Sequence, residues 1–373
     1  MPTRQSIGLV TVGLAAVLVS AAGAVAHADA QPGAMQRDAQ PEGTQNDVVP
    51  IDFDELEQGS GLAIAWFADD AFHRYNVSWD VETEPLEAFA EVEGMTPSGP
   101  EEGWVGLTNP PGDESRQIVE YERDNDGNVI LEVVREGDLG HLVASADGRY
   151  YAYVEDGEDV FVSSPSGGFI LRHDDAYPVG FADGLIAIND VTDGEPSVHL
   201  HDYICDDEDD PDSCRDSRID DVVGATATSD TTGLIAVTGE DEDGDVYSAI
   251  LDTSDDNREV WRSYERRVES FSPNGAYAAT VDIRSDGLGY TDVEIIGAWE
   301  GETRLRAEMD VSQRLAWEPA NRITPGNQLV FDAWDDGEQA LVRCDVSAGC
   351  ELATEPASAE DPVELPPHLL VSQ

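Results

Sequence analysis

Residues 267–283, RVESFSPNGAYAATVDI, constrain the fold more than any other stretch. A strand leads into a tight Ser-Pro-Asn-Gly turn, and a second strand of alternating small and aromatic apolar residues leaves it. Pro273 presets φ for the second turn position, while Asn274 and Gly275 accept bridge and left-handed conformations that a larger Cβ resists. The expected unit is a β-hairpin. LVASADGRYYAYVE (residues 142–155) repeats it with Ser145, Asp147 and Gly148 in the turn, and weaker copies occupy residues 179–190, 227–240 and 315–334. Along the turn residues Asp147, Asp183, Asp230, Asn274 and Asn321 the steps are 36, 47, 44 and 47 residues.

A step of about 40–50 residues carrying several short strands is the spacing of β-propeller blades, which bury their faces against one another. The strand after each turn must then be apolar on both faces. Leu185-Ile186-Ala187-Ile188, Leu234-Ile235-Ala236-Val237 and Ala276-Tyr277-Ala278-Ala279 meet that demand. A stack of helices would also produce apolar runs, but the short runs, β-branched residues and Gly/Asp punctuation argue for strands.

The SPNG and SADG turns, each followed by Tyr-x-Ala, resemble the Ser-Pro-Asp-Gly element of TolB-like and WD-repeat-like propellers, including secreted actinobacterial propeller proteins of unassigned role. The resemblance spans residues 60–355 and implies the fold, not a function. No Gly-His and Trp-Asp pair marks each repeat, so the partners of true WD-repeat proteins do not carry over.

The first 30 residues hold one arginine, Arg4, then an apolar run over residues 7–26 and two small-x-small sites, Ala26-His27-Ala28 and Ala28-Asp29-Ala30. That is the form of a cleaved secretory signal; a retained anchor is the alternative, since the run is long enough to span a bilayer. Residues 31–50 read as a flexible leader and residues 356–373 as a Pro-rich tail, in which residues 363–371 could add an edge strand. Residues 60–85 read as a first blade or as strands that close the ring.

Charge bounds the partners. There are 79 acidic residues against 20 basic ones, all arginine, for a net charge of −59 and a pI near 4.1. Such a chain repels phosphate backbones and anionic membranes, so nucleic acid is excluded as an expected partner, and no membrane insertion is expected once the signal is removed. Adaptation to a salty environment accounts for the composition without any functional demand.

Four cysteines form two close pairs, Cys205 with Cys214 and Cys344 with Cys350. In an exported chain these read as local disulfides; zinc is the competing explanation, but neither spacing is a zinc knuckle. Glu122, Asp124, Asp126 and Asn128 alternate around Gly127 in the manner of a calcium loop, yet Val133 stands where the bidentate glutamate belongs, and residues 241–245 are a similar partial match. In so acidic a chain, solvated turns are the expected reading. His199-Leu200-His201 places two imidazoles on one strand face without a third ligand that sequence can name. The chain has no G-x-S-x-G elbow, H-E-x-x-H pair or phosphate loop, and its seven tryptophans are spread along it.

The sequence therefore predicts one all-β domain over residues 51–355, a propeller of four-stranded blades with six or seven blades, seven favoured. It is expected to be a secreted monomer without cofactor, binding or scaffolding a protein or small ligand on one face of the ring. No catalytic, cofactor-binding or metal residue is assigned. The alternative is a propeller hydrolase or lyase with a metal or carboxylates at the central channel. A third reading is a structural envelope component with no discrete ligand.

Overall fold

A computed structural model describes residues 48–60, 62, 66–68, 71–75, 81–85, 91–97, 104–109, 115–123, 129–157, 159–164, 167–172, 175–192, 194–203, 216–285, 289–318, 326–358 and 369–370. Every regular element among them is a β-strand. After β1 (Val48–Pro50) come β2 (Trp66–Ala68), β3 (Ala71–Tyr75) and β4 (Val81–Pro85), then the sheet of β5 (Glu91–Pro97), β6 (Trp104–Asn109), β7 (Arg116–Arg123) and β8 (Val129–Gly137). The next sheet holds β9 (Leu139–Ala144), β10 (Tyr151–Glu155), β11 (Asp159–Ser164) and β12 (Gly167–Arg172). It is followed by β13 (Tyr177–Ala182), β14 (Leu185–Thr192), β15 (Glu195–Asp202) and β16 (Asp216–Ile219), and by β17 (Gly224–Ser229), β18 (Leu234–Glu240), β19 (Val246–Asp252) and β20 (Arg258–Ser263). β21 (Arg266–Phe271), β22 (Tyr277–Asp282), β23 (Tyr290–Gly297) and β24 (Thr303–Ser312) are joined through the single pair Val311 with Trp334 to β25 (Leu315–Trp317), β26 (Gln328–Asp335), β27 (Glu338–Asp345) and β28 (Gly349–Leu352). β29 (Ala357–Ser358) adds to β27, and β30 (Leu369–Leu370) pairs with β2. Within the sets β5–β8, β9–β12, β13–β16, β17–β20 and β21–β24, consecutive strands are antiparallel neighbours, whereas β24 and β25 both pair with β26.

The two faces of each second strand serve different cores. On β18, Leu234 and Ala236 pack with Phe271, Ala278 and Ile296 of the following sheet, while Ile235 and Val237 pack with Leu185, Ala187 and Leu200 of the preceding one. On β14, Ile186 and Ile188 turn instead to Ala152, Val154 and Val162. A period-2 strand buried on both faces reads as an unbroken apolar run, which is what these segments are. Sheets stacked face to face, each feeding two cores, are the organisation expected for blades.

The repeated turn is held by one network used twice. Ser145 Oγ donates to Asp147 Oδ1 at 2.7 Å and accepts from the Tyr150 N–H at 3.1 Å, and Asp147 Oδ1 also accepts from the Arg149 N–H at 3.0 Å. In the other copy Ser272 Oγ donates to Asn274 Oδ1 at 2.8 Å and accepts from Tyr277 N–H at 3.0 Å, with Asn274 Oδ1 taking the Ala276 N–H at 3.0 Å. The hydroxyl and the Asx side chain thus satisfy turn amides that would otherwise compete for water. Gly275, at φ 65°, adds close approach to left-handed geometry, because a Cβ there would lie 2.3 Å from Thr232 of the neighbouring turn.

Both ends of the described chain are tied to distant strands. β1 runs parallel to β24, Ile51 and Phe53 enter the core between β22–β24 and β26–β28, and Gln58 bridges Leu352. The β30 pairing puts Leu370 opposite Trp66, so residues within the stretch expected as a tail supply a neighbour to the first sheet. These contacts cover edges that an open array would expose.

Candidate functional site

The first strands of successive sheets, β9, β13, β17, β21 and β25, line one cavity of about 450 Å3. Each of β9, β13, β17 and β21 slips register by one residue against its partner, between Gly140 and Val143, Pro178 and Gly180, Ala225 and Ala227, and Val268 and Ser270. Such bulges re-aim side chains. Leu142, Val179, Thr226 and Glu269, the residues at these slips, all line the cavity. Each stands three residues before the first turn position, Ser145, Ala182, Ser229 or Ser272. That spacing is the sequence signal that could have located them. Phe181, Phe271 and Trp317 add apolar wall, and Trp317 Nε1 donates to Ser270 Oγ at 3.1 Å.

Turn residues Ala146, Asp230, Thr231 and Pro273 also line the cavity, on the side we take as its mouth. Asp230 Oδ2 accepts the Ala146 N–H at 2.9 Å, the Asp183 N–H reaches the Asp230 carbonyl at 3.2 Å, and Thr231 Oγ1 donates to the Pro273 carbonyl at 2.6 Å. Turns of four sheets are thereby linked. Burial pushes the Asp230 carboxyl above its ordinary range, and the nearby Asp147 and Asp183 carboxylates act in the same direction against the Ala146 hydrogen bond. The other carboxylate among the lining residues, Glu269, is held by Arg267, whose Nε donates to it at 2.7 Å. The described lining is thus apolar and hydroxyl-rich, with both carboxylates engaged by the protein itself.

A second cavity of about 520 Å3 beside β20–β23 gathers Arg262, Arg266, Arg284 and Arg306, but also Glu265, Asp282, Asp292 and Glu294. Arg266 Nη1 lies 2.6 Å and Arg306 Nε 3.1 Å from the same Asp292 carboxylate oxygen. With charges balanced, this is an ion-pair network between strands.

The residues singled out in the sequence fall as follows. Cys344 and Cys350 form a disulfide across β27 and β28, with Cα atoms 4.1 Å apart; Cys205 and Cys214 lie outside the described residues. So do the turn at residues 124–128 and the apolar run at residues 7–26. Asp241 Oδ1 accepts the N–H groups of Asp243 and Asp245, both at 3.0 Å, and these bonds hold the carboxyl below its usual range; the carboxylate stabilises its own turn. His199 and His201 stack on β15 with ring centroids 5.8 Å apart, on the third strand of their sheet and not on the cavity.

No protein-family model matches the sequence, and no curated protein does. Likeness to solved structures is found. A chain of the mitotic checkpoint complex aligns over 87% of this chain and 90% of its own, with TM-score 0.50 and 11% identity. The fold is a β-propeller. Sqt1 from Chaetomium thermophilum, solved bound to the N-terminus of a ribosomal protein, aligns over 84% of this chain and 91% of its own at TM-score 0.49 and 14% identity. The putative TolB from Agrobacterium tumefaciens aligns over 61% and 85% at TM-score 0.40 and 14% identity. At these identities the likeness concerns fold alone.

Proposed function

We propose that this chain is a secreted, seven-bladed, non-catalytic binding module that holds a protein segment or small ligand at the mouth of its channel. The observation that carries the reading is the cavity itself, taken as the mouth of the propeller's channel: about 450 Å3, with apolar walls from Phe181, Phe271 and Trp317 and hydroxyls from Thr226, Thr228, Ser229 and Ser272. That volume and mixture of walls suit a ligand site. The sequential four-stranded sheets, with β25–β28 as a further blade-sized set, support seven blades. The signal-like segment over residues 1–30 and the cysteine pairs support export. The hydrolase alternative needs histidines or free carboxylates on the axis, and the described lining offers neither.

The test is a photo-reactive residue placed at Ala146, on the mouth, and separately at Asp243, at the opposite end of the strands, each exposed to the medium in which the protein is secreted. Cross-links formed at Ala146, absent at Asp243 and lost when Thr226→Trp fills the channel support the reading. Equal labelling from both positions, or labelling indifferent to Thr226→Trp, overturns it.

A further inference from the structure

The β13–β16 sheet brings together a set of side chains that the channel does not use. His199 and His201 are two apart on β15 and project from the face whose partners on β14 are Ile188 and Ile186. Those isoleucines pack against β10 and β11, so the histidines face the preceding sheet. Pairing of β15 with β16 sets Asp216 directly opposite His201, and His201 Nδ1 lies 3.4 Å from Asp216 Oδ1. On the other side, Asp190 of β14, its side chain 1% exposed, places Oδ2 3.3 Å from His199 Nε2.

One ligand atom from each of His199, His201 and Asp216 lies within 4.8 Å of the other two. Ligands at about 2.0–2.2 Å in a tetrahedral site stand about 3.3–3.6 Å apart, so the His201–Asp216 separation of 3.4 Å already fits, and the His199 nitrogen, within 4.8 Å of both, closes the set on metal binding. Two imidazoles and a carboxylate select a borderline transition ion over calcium or magnesium, which take oxygen ligands. A buried carboxylate behind a ligating histidine fixes its ring and raises its basicity, which is what Asp190 is placed to do for His199. Arg218, opposite His199, is drawn onto Asp220 at 2.7 Å.

We propose that His199, His201 and Asp216 form a binding site for a divalent transition metal of the zinc class, with Asp190 as the positioning residue and the remaining coordination positions taken by water. The site is separate from the channel and does not depend on the binding reading above. Sequence could name the two histidines; only the β15–β16 register supplies the third ligand.

The probe is Co2+, then Zn2+ in competition, added to metal-stripped protein in excess Mg2+ so that the many surface carboxylates are already occupied. The expected result is a single saturable site with a nitrogen-ligand Co2+ spectrum that Zn2+ displaces. His201→Ala abolishes it, and Asp190→Asn weakens it about 10–100-fold. Asp216→Asn, at a carboxylate 64% exposed and therefore safe for folding, lowers affinity at least as much. Binding that is absent, or that persists unchanged in Asp216→Asn and in a folded His199→Ala/His201→Ala double variant, overturns the proposal.

Discussion

The side chain of Asn189 and the backbone of Ala225 exchange two hydrogen bonds across adjacent sheets. Asn189 Nδ2 donates to the Ala225 carbonyl at 2.9 Å, and Asn189 Oδ1 accepts the Ala225 N–H at 2.7 Å. Asn189 is buried, and Gly224 permits the approach, since a Cβ there would stand 3.1 Å from the amide. Ala225 immediately precedes the bulge at Thr226, so this pair fixes where a channel-lining residue points.

Replacing Asn189 with leucine leaves the Ala225 N–H and carbonyl buried without partners. The expected loss is about 2–4 kcal/mol, from two unsatisfied groups at about 1–2 kcal/mol each. Asn189→Asp keeps an acceptor for the Ala225 N–H but turns a carboxylate oxygen onto the Ala225 carbonyl in a buried site, so at neutral pH it is expected to destabilise at least as much as Asn189→Leu. Urea denaturation checks the order; a leucine variant as stable as wild type would show that the pair contributes nothing.

Asp230 gives a pH prediction with a definite sign. Its carboxyl is raised in the folded state by burial first and by Asp147 and Asp183 next. The native state therefore binds its proton more readily than the unfolded chain. The stabilising contribution is complete below the unfolded value, near the ordinary 3.8, and is lost as pH rises through the higher folded value. Asp230→Asn retains an acceptor for the Ala146 N–H and removes the charge. It is expected to melt above wild type at pH 7 and to lose that advantage as pH falls toward about 4. An advantage independent of pH would assign the effect to something other than ionisation.

Much of the fold was legible because its determinants are local. Ser272, Asn274 and Gly275 are adjacent in sequence and make their own turn, and the run from Leu234 to Val237 declares burial on both faces by composition alone. The candidate channel was not legible, because Leu142, Val179, Thr226 and Glu269 share no chemistry; they share a bulge, which is a property of pairing. Asp216 escaped for the same reason. Its meeting with His201 is set by strand register across a 15-residue separation. The tie between β1 and β24 is more distant still, and a stretch read as a flexible leader ends in it.

The segment before β2 is anchored by Arg343. Nearly buried on β27, its Nη2 donates to the Ser60 carbonyl at 3.0 Å and to Ser60 Oγ at 2.9 Å, its Nη1 lies 3.3 Å from the fully buried Glu318, and it also pairs with Glu351. Those carboxylates hold the guanidinium above its ordinary value although burial opposes them. Arg343→Met strands the Glu318 charge and is expected to cost about 3–5 kcal/mol. Arg343→Met with Glu318→Leu should recover much of that, since an apolar pair needs no desolvated charge. A double variant no better than the single one would place the loss in the Ser60 contacts instead. Phe53→Ala tests the same strap from its other end, at about 3–5 kcal/mol if the core there does not collapse, read from the thermal midpoint and from amide exchange at Ile51 and Gly59.

The excess of acid predicts how stability answers to salt. A net charge of −59 over the chain is self-repulsive, and at the channel mouth Asp147, Asp183 and Asp230 are close enough to act on one another. The screening length falls from about 10 Å at 0.1 M to about 3 Å at 1 M, so added NaCl should raise the melting temperature mainly by weakening repulsion between exposed carboxylates. Pairs shielded from solvent, such as Arg343 with Glu318, contribute little to this response. Lowering pH toward the pI near 4.1 neutralises the same carboxylates, so the salt increment should shrink in parallel. Sucrose, which strengthens burial without screening charge, separates the two causes. A melting temperature that rises equally with sucrose and NaCl, at pH 7 and at pH 4.5 alike, would mean that burial limits this fold and its acidic surface does not.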